Sequence, residues 1–313
     1  MALRIVMPIR LLLQVAMMNQ SRLVEYVQRS SVFLGAIVFV LMFCISCAGA
    51  DARERCGRLI SLAPSITEVL FDLNLQDRIV GVTRYCQYPE AARALPRIGG
   101  ILDFNIEEII RRNPSTVIAL SESFIPSEVL DRVGIGVLRV DHRSVNGIKE
   151  SYRILGQECA VEEFAAKRVH QLETIERQIR QRCDDVGKPL TKFMFVVGHI
   201  PGGDGIYLSG GDGFYSDVAR VLGGENVHNS HTIAVPSVSK EGIIALNPDV
   251  IIEVVEPSAK VTDRELLGFW QRFNSLEAVK RKRVIILRDD YASIPGPRYI
   301  KLLQTLSTVL CER

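Results

Sequence analysis

Residues 105–119 read NIEEIIRRNPSTVIA, and residues 239–253 read SKEGIIALNPDVIIE. A shift of 134 residues, from Glu107 to Glu241, superimposes the two segments and aligns their isoleucine pairs and their Asn-Pro pairs. Each copy predicts a short helix that ends at the Asn-Pro pair and is followed by a buried strand. Solenoid repeats have much shorter periods, so the duplication predicts two similar α/β lobes with a cleft between them.

Length and composition agree with a two-lobed globular chain. The 313 residues can form two domains of ordinary size. An apolar fraction of 47% with 24% charged residues is typical of globular proteins. The formal net charge is only +2, which predicts no strong attraction to nucleic acid or to an anionic membrane.

Residues 1–50 are predicted to be an N-terminal extension and signal peptide. Within them, 32–46 (VFLGAIVFVLMFCIS) form an apolar run that follows basic residues and precedes an Ala-Gly-Ala sequence ending at Ala50. This order is typical of a secretory signal peptide cleaved after Ala50. The run is short for a transmembrane helix, which needs about 20 apolar residues. The alternatives are an uncleaved anchor and a lipoprotein tethered to the membrane through Cys47.

Export places the mature chain in an oxidising compartment, where cysteines form disulfides. Five cysteines follow the predicted cleavage site, namely Cys56, Cys86, Cys159, Cys183 and Cys311. Their odd number predicts at least one that is unpaired or that pairs between chains. Their spacing fits no zinc site. Cys56 with Cys86 is the first pairing to test.

Short apolar runs alternate with helical segments along the rest of the chain. A Ser65–Glu68 capping box predicts the start of the first helix. The alternation predicts an α/β fold in which parallel sheets are covered by helices on both faces. Strands are predicted at 58–63, 79–83, 116–120, 136–140, 192–197, 250–254 and 284–287, and helices outside the repeats at 66–73, 127–133, 215–222, 265–279 and 299–310.

One longer helix separates the two halves. Apolar residues recur at spacings of three and four from Val161 to Arg182, which predicts an amphipathic helix about 33 Å long. That length matches the width of a domain and suits a stiff strut between lobes. We therefore expect an N-terminal α/β lobe at 57–157, a linking helix within 158–187 and a C-terminal α/β lobe at 188–313.

Five blocks in order resemble one known family. They are RLISLAPSITEVLFDL at 58–73, RIVGVTRYCQYP at 78–89, the first repeat segment, LSGGDGFYSDVARVLGGENV at 208–227, and VSKEGIIALNPDVII at 238–252. Together they are similar to the helical-backbone periplasmic binding proteins of ABC importers for cobalamin, iron-siderophores and haem, and most of all to the vitamin B12-binding branch. The resemblance implies two Rossmann-like lobes joined by one long helix, a ligand cleft between them and a periplasmic location.

The resemblance also assigns a role to the two matched glutamates. In the family, one glutamate at this position on each lobe docks with arginines on the two halves of the permease dimer in the inner membrane. The match carries this role to Glu107 and Glu241. Without the resemblance, each would be interpreted as a carboxylate that complements the dipole of its helix.

The predicted ligand is a corrinoid or a ferric chelate, bound by loops at the strand ends that face the other lobe. Tyr85 matches an aromatic residue that contacts the corrin in cobalamin-binding relatives, and Asp290 matches an acidic cleft residue. Ile101 and Val235 stand where those relatives have tryptophans, which puts cobalamin itself in doubt. Trp270 is predicted to pack in the core. The predicted cleft residues are Ser65, Tyr85, Ile101, Ser121, His199, Val235, Asp290 and Tyr291.

No catalytic motif is found, and we expect a binding protein instead of an enzyme. The glycine-rich segment 198–213 lacks a GK[ST] phosphate loop, and neither GxSxG nor HExxH occurs. His228 and His231 are interpreted as surface loop residues, and the chain is predicted to hold no cofactor beyond cobalt or iron within its ligand. His199 could bind such a metal through a ring nitrogen. The competing hypotheses are a secreted metal-binding protein or enzyme on the same scaffold, and a ligand sensor.

Overall fold

The structure is a computed structural model that describes residues 56–184, 190–199, 205–230 and 233–311. The predicted signal peptide, its cleavage site and Cys47 lie outside these residues, as does His231. Within the described ranges, none of the helices combines the length and the apolar character that a bilayer span requires.

The first lobe is built on a four-stranded sheet with the order β2-β1-β3-β4, in which every strand pair is parallel. Helices connect successive strands, as expected for parallel pairing. The lobe comprises β1 (Leu59–Ser61), α1 (Pro64–Asp72), β2 (Ile79–Val82), α2 (Ile106–Arg111), β3 (Thr116–Leu120), α3 (Ser127–Asp131) and β4 (Gly136–Val140).

The second lobe is built on a six-stranded sheet with the order β10-β9-β5-β6-β8, and β7 pairs with β5. Its elements are β5 (Thr191–His199), β6 (Ile206–Leu208), α6 (Phe214–Val221), β7 (Gly224–Asn226), β8 (Ser237–Val238), α7 (Lys240–Leu246), β9 (Val250–Val254), α8 (Asp263–Gln271), α9 (Glu277–Lys280), β10 (Val284–Leu287), α10 (Asp290–Ser293) and α11 (Tyr299–Cys311). The parallel pairing predicted for the apolar strands is found among β5, β9 and β10, whereas the unpredicted strands β6 and β8 pair antiparallel. Both are too short to show a period of two in the sequence.

Two helices, α4 (Val145–Glu158) and α5 (Glu162–Asp184), connect the sheets. The prediction of a long linking helix at 161–182 is confirmed by α5. The helix α4 was not predicted, although Ser144 caps it by accepting a hydrogen bond from the Gly147 amide at 2.9 Å. The lobe limits proposed above stay predictions.

The duplicated segments fold alike. Asn105 caps α2 by accepting from the Glu108 amide at 3.0 Å, and Ser239 caps α7 by accepting from the Gly242 amide at 3.2 Å. Asn113 and Asn247 then end the two copies in the left-handed region, with φ of 46° and 40°. The predicted order of helix, Asn-Pro stop and strand is therefore confirmed in both copies.

Two helix predictions need correction. The Ser65–Glu68 capping box is absent, because α1 already begins at Pro64 and the Glu68 carboxylate is an ion-pair partner of Arg298. The helix expected at 265–279 is divided into α8 and α9.

Each sheet has one face on a shared central core and one on a core of its own. Leu59 and Ile118 of the first sheet, Phe193 and Ile252 of the second, and Leu172 of α5 belong to the shared core. The opposite sheet faces pack on two separate clusters, one in each lobe. The linking helix therefore contributes to the same apolar core as both sheets.

Two disulfides tie the ends of α5 to the two lobes. Cys56 pairs with Cys159, close to the first residue of α5, and Cys183 in its last turn pairs with Cys311 at the end of α11. The Cys56–Cys86 pairing is therefore wrong. Cys86 is the unpaired cysteine of the described residues, and its buried sulfur contacts the Thr67 hydroxyl at 3.1 Å.

Replacing both Cys56 and Cys159 by serine is expected to lower the free energy of unfolding by about 2–5 kcal/mol, because the bridge closes a long loop. Urea denaturation under non-reducing conditions measures the change. Cys86→Ser is the matched control, since a serine hydroxyl can keep the contact with Thr67. Equal unfolding midpoints for the double variant and the wild type would contradict the prediction.

Candidate functional site

A cavity of about 820 Å³ lies between the two lobes. The first lobe contributes residues that directly follow β4, and the second lobe contributes residues at the carboxyl ends of β5 and β9. Ligand sites of open parallel sheets form at this edge. The lining residues are Asp141, Arg143, Ser144, Val197, Ser209, Asp212, Gly213, Phe214, Tyr215, Ser230, Ile233, Ala234, Val235, Val254, Glu256, Ser293 and Pro295.

The start of α6 holds the two lobes together at the cavity. Gly213 has a φ of +114°, and a Cβ there would lie only 2.8 Å from the carbonyl oxygen of Arg143. The Asp217 carboxylate accepts a hydrogen bond from the Val145 amide at 2.9 Å. The Tyr215 hydroxyl donates to the carbonyl of Ala292 at 2.7 Å. The start of α6 is therefore held by the Val145 amide through Asp217 and by the Ala292 carbonyl through Tyr215.

The first-lobe wall carries an ion pair. Arg143 contacts Asp141 at 2.6 Å. Hydrogen bonds from Arg143 hold the pKa of the Asp141 carboxyl below its usual range, although partial burial opposes this. The charged pair thus offers both a donor and an acceptor to a ligand.

His142, between these two residues, turns into the protein. It is 3% exposed, and its Nδ1 lies 2.8 Å from the Ser65 hydroxyl. Burial lowers the pKa of His142 from 6.5 to about 4, because the charged imidazolium would lose its hydration. The ring is therefore neutral near pH 7.

Among the predicted cleft residues, Val235 lines the cavity and is 52% exposed. Ser65 is buried against His142, and the Ser121 hydroxyl donates to the carbonyl of Val140 at 3.1 Å. Neither side chain is among the lining residues.

His199 points into the second-lobe core. Its Nδ1 lies 2.8 Å from Glu253, its side chain is 1% exposed, and its ring centroid is 3.9 Å from that of Phe269. A β-bulge between Val196 and Gly198 causes this orientation, because the extra residue shifts the alternation of side chains along β5. The structure therefore does not bring His199 to the cavity.

Asp290 and Tyr291 also have protein partners. Both carboxylate oxygens of Asp290 accept hydrogen bonds from Arg298. The Tyr291 hydroxyl lies 3.1 Å from that of Thr305. Tyr85 and Ile101, by contrast, are exposed on loops of the first lobe, outside the cavity lining.

Sequence reasoning missed Arg143, Phe214, Tyr215 and Ile233, all of which line the cavity. The strand predicted to end at Val140 could have identified Arg143 as a cavity residue. Residues that follow parallel strands meet at the carboxyl edge of the sheet, where ligand sites form. Two further apolar side chains on first-lobe loops, Leu102 and Phe124, are also highly exposed.

Trp270 is fully buried, and its indole N–H donates to the Glu253 carboxylate. The prediction that it packs in the core is confirmed. In the part of the chain that the structure describes, no group of three or more His, Cys, Asp or Glu side chains could hold a metal ion.

Glu107 and Glu241 are both exposed in the first turn of their helices. Hydrogen bonds from its own amide and from Ser239 hold the pKa of Glu241 below its usual range. Each helix runs antiparallel to the parallel strand that follows it in its lobe. Its first turn therefore lies at the carboxyl edge of the sheet. The two carboxylates therefore occupy equivalent positions on the cavity side of the two lobes.

Comparison with known proteins gives a consistent result. A family model described as periplasmic binding protein matches residues 59–291. An uncharacterised ABC transporter substrate-binding lipoprotein of Bacillus subtilis, YvrC, is 28% identical over 82% of this chain and 80% of its own. A vitamin B12-binding protein of Vibrio vulnificus is 25% identical over 85% of this chain and 92% of its own.

A solved structure has the same fold. The periplasmic haem-binding protein BhuT, in complex with two haems, superimposes with a TM-score of 0.70 at 23% identity, covering 81% of this chain and 97% of that protein. This likeness confirms the two-lobed α/β architecture.

The buried neutral His142 makes stability depend on pH. Its folded-state pKa of about 4 lies below the ordinary 6.5, so its contribution is present above pH 6.5 and is lost as the pH falls towards 4. We expect the free energy of unfolding to fall by about 3 kcal/mol over this pH range. Urea unfolding at several pH values measures this change. As the pH falls from 6.5 to 4, the free energy of unfolding should decrease less for His142→Asn than for the wild type. His170→Asn, at an exposed position on α5, should leave the decline unchanged; equal slopes for wild type and His142→Asn would contradict this assignment.

Proposed function

Because the chain belongs to the periplasmic binding protein family, we propose that it is the substrate-binding component of an ABC importer. It captures a corrinoid or a ferric chelate in the cavity between its lobes and delivers it to a permease dimer. The match over residues 59–291 carries this proposal. The cavity supports it, because small-molecule sites have volumes of about 300–1,000 Å³ and lie between domains.

The cavity walls support a ligand with a large apolar face. Phe214, Tyr215, Ile233 and Val235 contribute aromatic and aliphatic surface from the second lobe. A corrinoid has such a face, and the Vibrio vulnificus relative is named for binding vitamin B12. Any cobalt or iron enters as part of the transported ligand.

The location proposed is outside the cytoplasmic membrane. The two disulfides agree with an oxidising compartment. Release after cleavage at Ala50 and tethering through Cys47 are the two forms of this proposal. The Bacillus subtilis relative is named a lipoprotein, which supports the second form.

A secreted metal-binding protein, an enzyme and a ligand sensor are less well supported. One relative is named an ABC transporter substrate-binding lipoprotein and another a vitamin B12-binding protein.

The ligand class can be tested with cyanocobalamin, haemin and ferrichrome. We expect at least one of them to bind with micromolar affinity or better. Val235→Asp should weaken binding at least tenfold, because it places a carboxylate on the apolar wall. The affinity is measured by titration, followed either by intrinsic tryptophan fluorescence or by the absorbance of the ligand.

Val309→Asp is the matched control, since Val309 is similarly exposed on α11 and is not among the residues that line the cavity. Failure of all three ligands to bind the wild type would contradict the proposed ligand classes. Equal effects of the two aspartate substitutions would contradict the proposed location of the site.

The permease contact is proposed to involve Glu107 and Glu241. Reversing both charges to arginine should abolish ligand uptake in cells while leaving ligand affinity within about twofold, because the carboxylates pair with arginines of the transporter. The control reverses Glu128 and Glu225, two exposed glutamates placed one on each lobe. Loss of ligand affinity in the Glu107 and Glu241 variant, or equal loss of uptake in the control, would contradict the docking role.

A further inference from the structure

Arg298 lies between the two lobes and close to the cavity. Its side chain is 8% exposed and donates to Glu68 of α1 at 2.6 Å. It also donates to both oxygens of Asp290, at 2.5 and 3.0 Å. Asp290 begins α10, and Ser293 at the end of that helix lines the cavity. One guanidinium thus connects the first lobe to a wall of the cavity.

A second first-lobe residue, Tyr88, also contacts the guanidinium of Arg298. The carbon at its centre lies 4.1 Å from the centroid of the Tyr88 ring, a cation–π contact. Tyr88 follows β2 of the first lobe, whereas Arg298 precedes α11 of the second. The first lobe therefore encloses a cation of the second lobe with both a carboxylate and an aromatic face.

The backbone around Arg298 also lies against α1. A Cβ at Gly296 would be 3.1 Å from the Cβ of Ser65 and 3.2 Å from Oε2 of Glu68. Pro295, one residue earlier, lines the cavity. The segment between α10 and α11 therefore contacts the first lobe on one side and the cavity on the other.

A buried ion pair of this kind tolerates little displacement, because separating its partners leaves the buried Glu68 carboxylate without its counter-ion. Glu68 is 1% exposed at its side chain. When the lobes are in contact, the bidentate pair holds the start of α10 in one position. When they separate, Arg298 loses its first-lobe partners, and α10 loses that support.

We propose that Arg298 is a positioning residue that couples the contact between the lobes to the placement of α10 at the cavity. Glu68 and Tyr88 orient its guanidinium, and the guanidinium orients Asp290. In this assignment Asp290 is part of the coupling, in place of the direct ligand contact expected from the sequence. Only the link to ligand affinity rests on the function proposed above.

Amide hydrogen exchange of ligand-free protein tests the coupling. Glu68→Gln should raise the exchange rate of the 290–293 amides at least tenfold, although Glu68 does not touch α10. Gly296→Val, which pushes the segment off α1 without changing any charge, should have the same effect. Lys280→Gln is the control, because Lys280 pairs at 3.0 Å with Glu277 within α9 of the second lobe.

An effect of Arg298→Gln on 290–293 without an effect of Glu68→Gln or Gly296→Val would overturn the proposal, because Arg298 would then act only within its own lobe. Thermal unfolding identifies any variant that fails to fold, and either of the two coupling variants is sufficient for the comparison.

Titration with cyanocobalamin adds a functional measurement. If the wild type binds it, Glu68→Gln should lower the affinity at least tenfold, and unchanged affinity with faster exchange would refute the link to ligand binding. If the wild type does not bind it, the proposed corrinoid ligand fails, while the exchange experiment still decides the coupling.

Discussion

One disulfide lies at Cys159, three residues before α5, and another at Cys183 in its last turn, and both constrain the arrangement of the lobes. The 23 residues of α5 extend over about 34 Å. The Cys56–Cys159 bridge fixes its beginning to the first lobe, and the Cys183–Cys311 bridge fixes its end to the last helix of the second lobe. The two bridges therefore restrict the movement of each lobe relative to α5.

The faces that meet beside the cavity are themselves connected by directional contacts. The Val145 amide and the Asp217 carboxylate form one of them, and Arg298 with Glu68 forms another. These contacts are short and involve charged groups, so a large opening would break several of them together. The geometry therefore favours selection of ligands by fit to a nearly preformed cavity over selection by a wide closing motion.

Local patterns in the sequence were sufficient for most of the scaffold. The repeat predicted both helix–stop–strand units, and apolar spacing predicted α5 within two residues. The disulfides could not be predicted in this way, because Cys56 and Cys159 are 103 residues apart and nothing local encodes their meeting. The sequence also predicted the edge where the cavity lies, but not the direction of each side chain. A single bulge in β5 was enough to turn His199 into the core.

The duplicated segments contribute no residue to the cavity lining. The duplicated segments provide equivalent strands and equivalent exposed glutamates, whereas the residues that line the cavity lie outside both segments. Its first-lobe wall carries the Asp141–Arg143 ion pair, and its second-lobe wall carries Phe214, Tyr215 and Val235. The second-lobe wall also carries Asp212 and Glu256, so it offers both apolar surface and hydrogen-bonding groups to a ligand. The duplicated segments are thus equivalent in the two lobes, whereas the two walls of the cavity differ in chemistry.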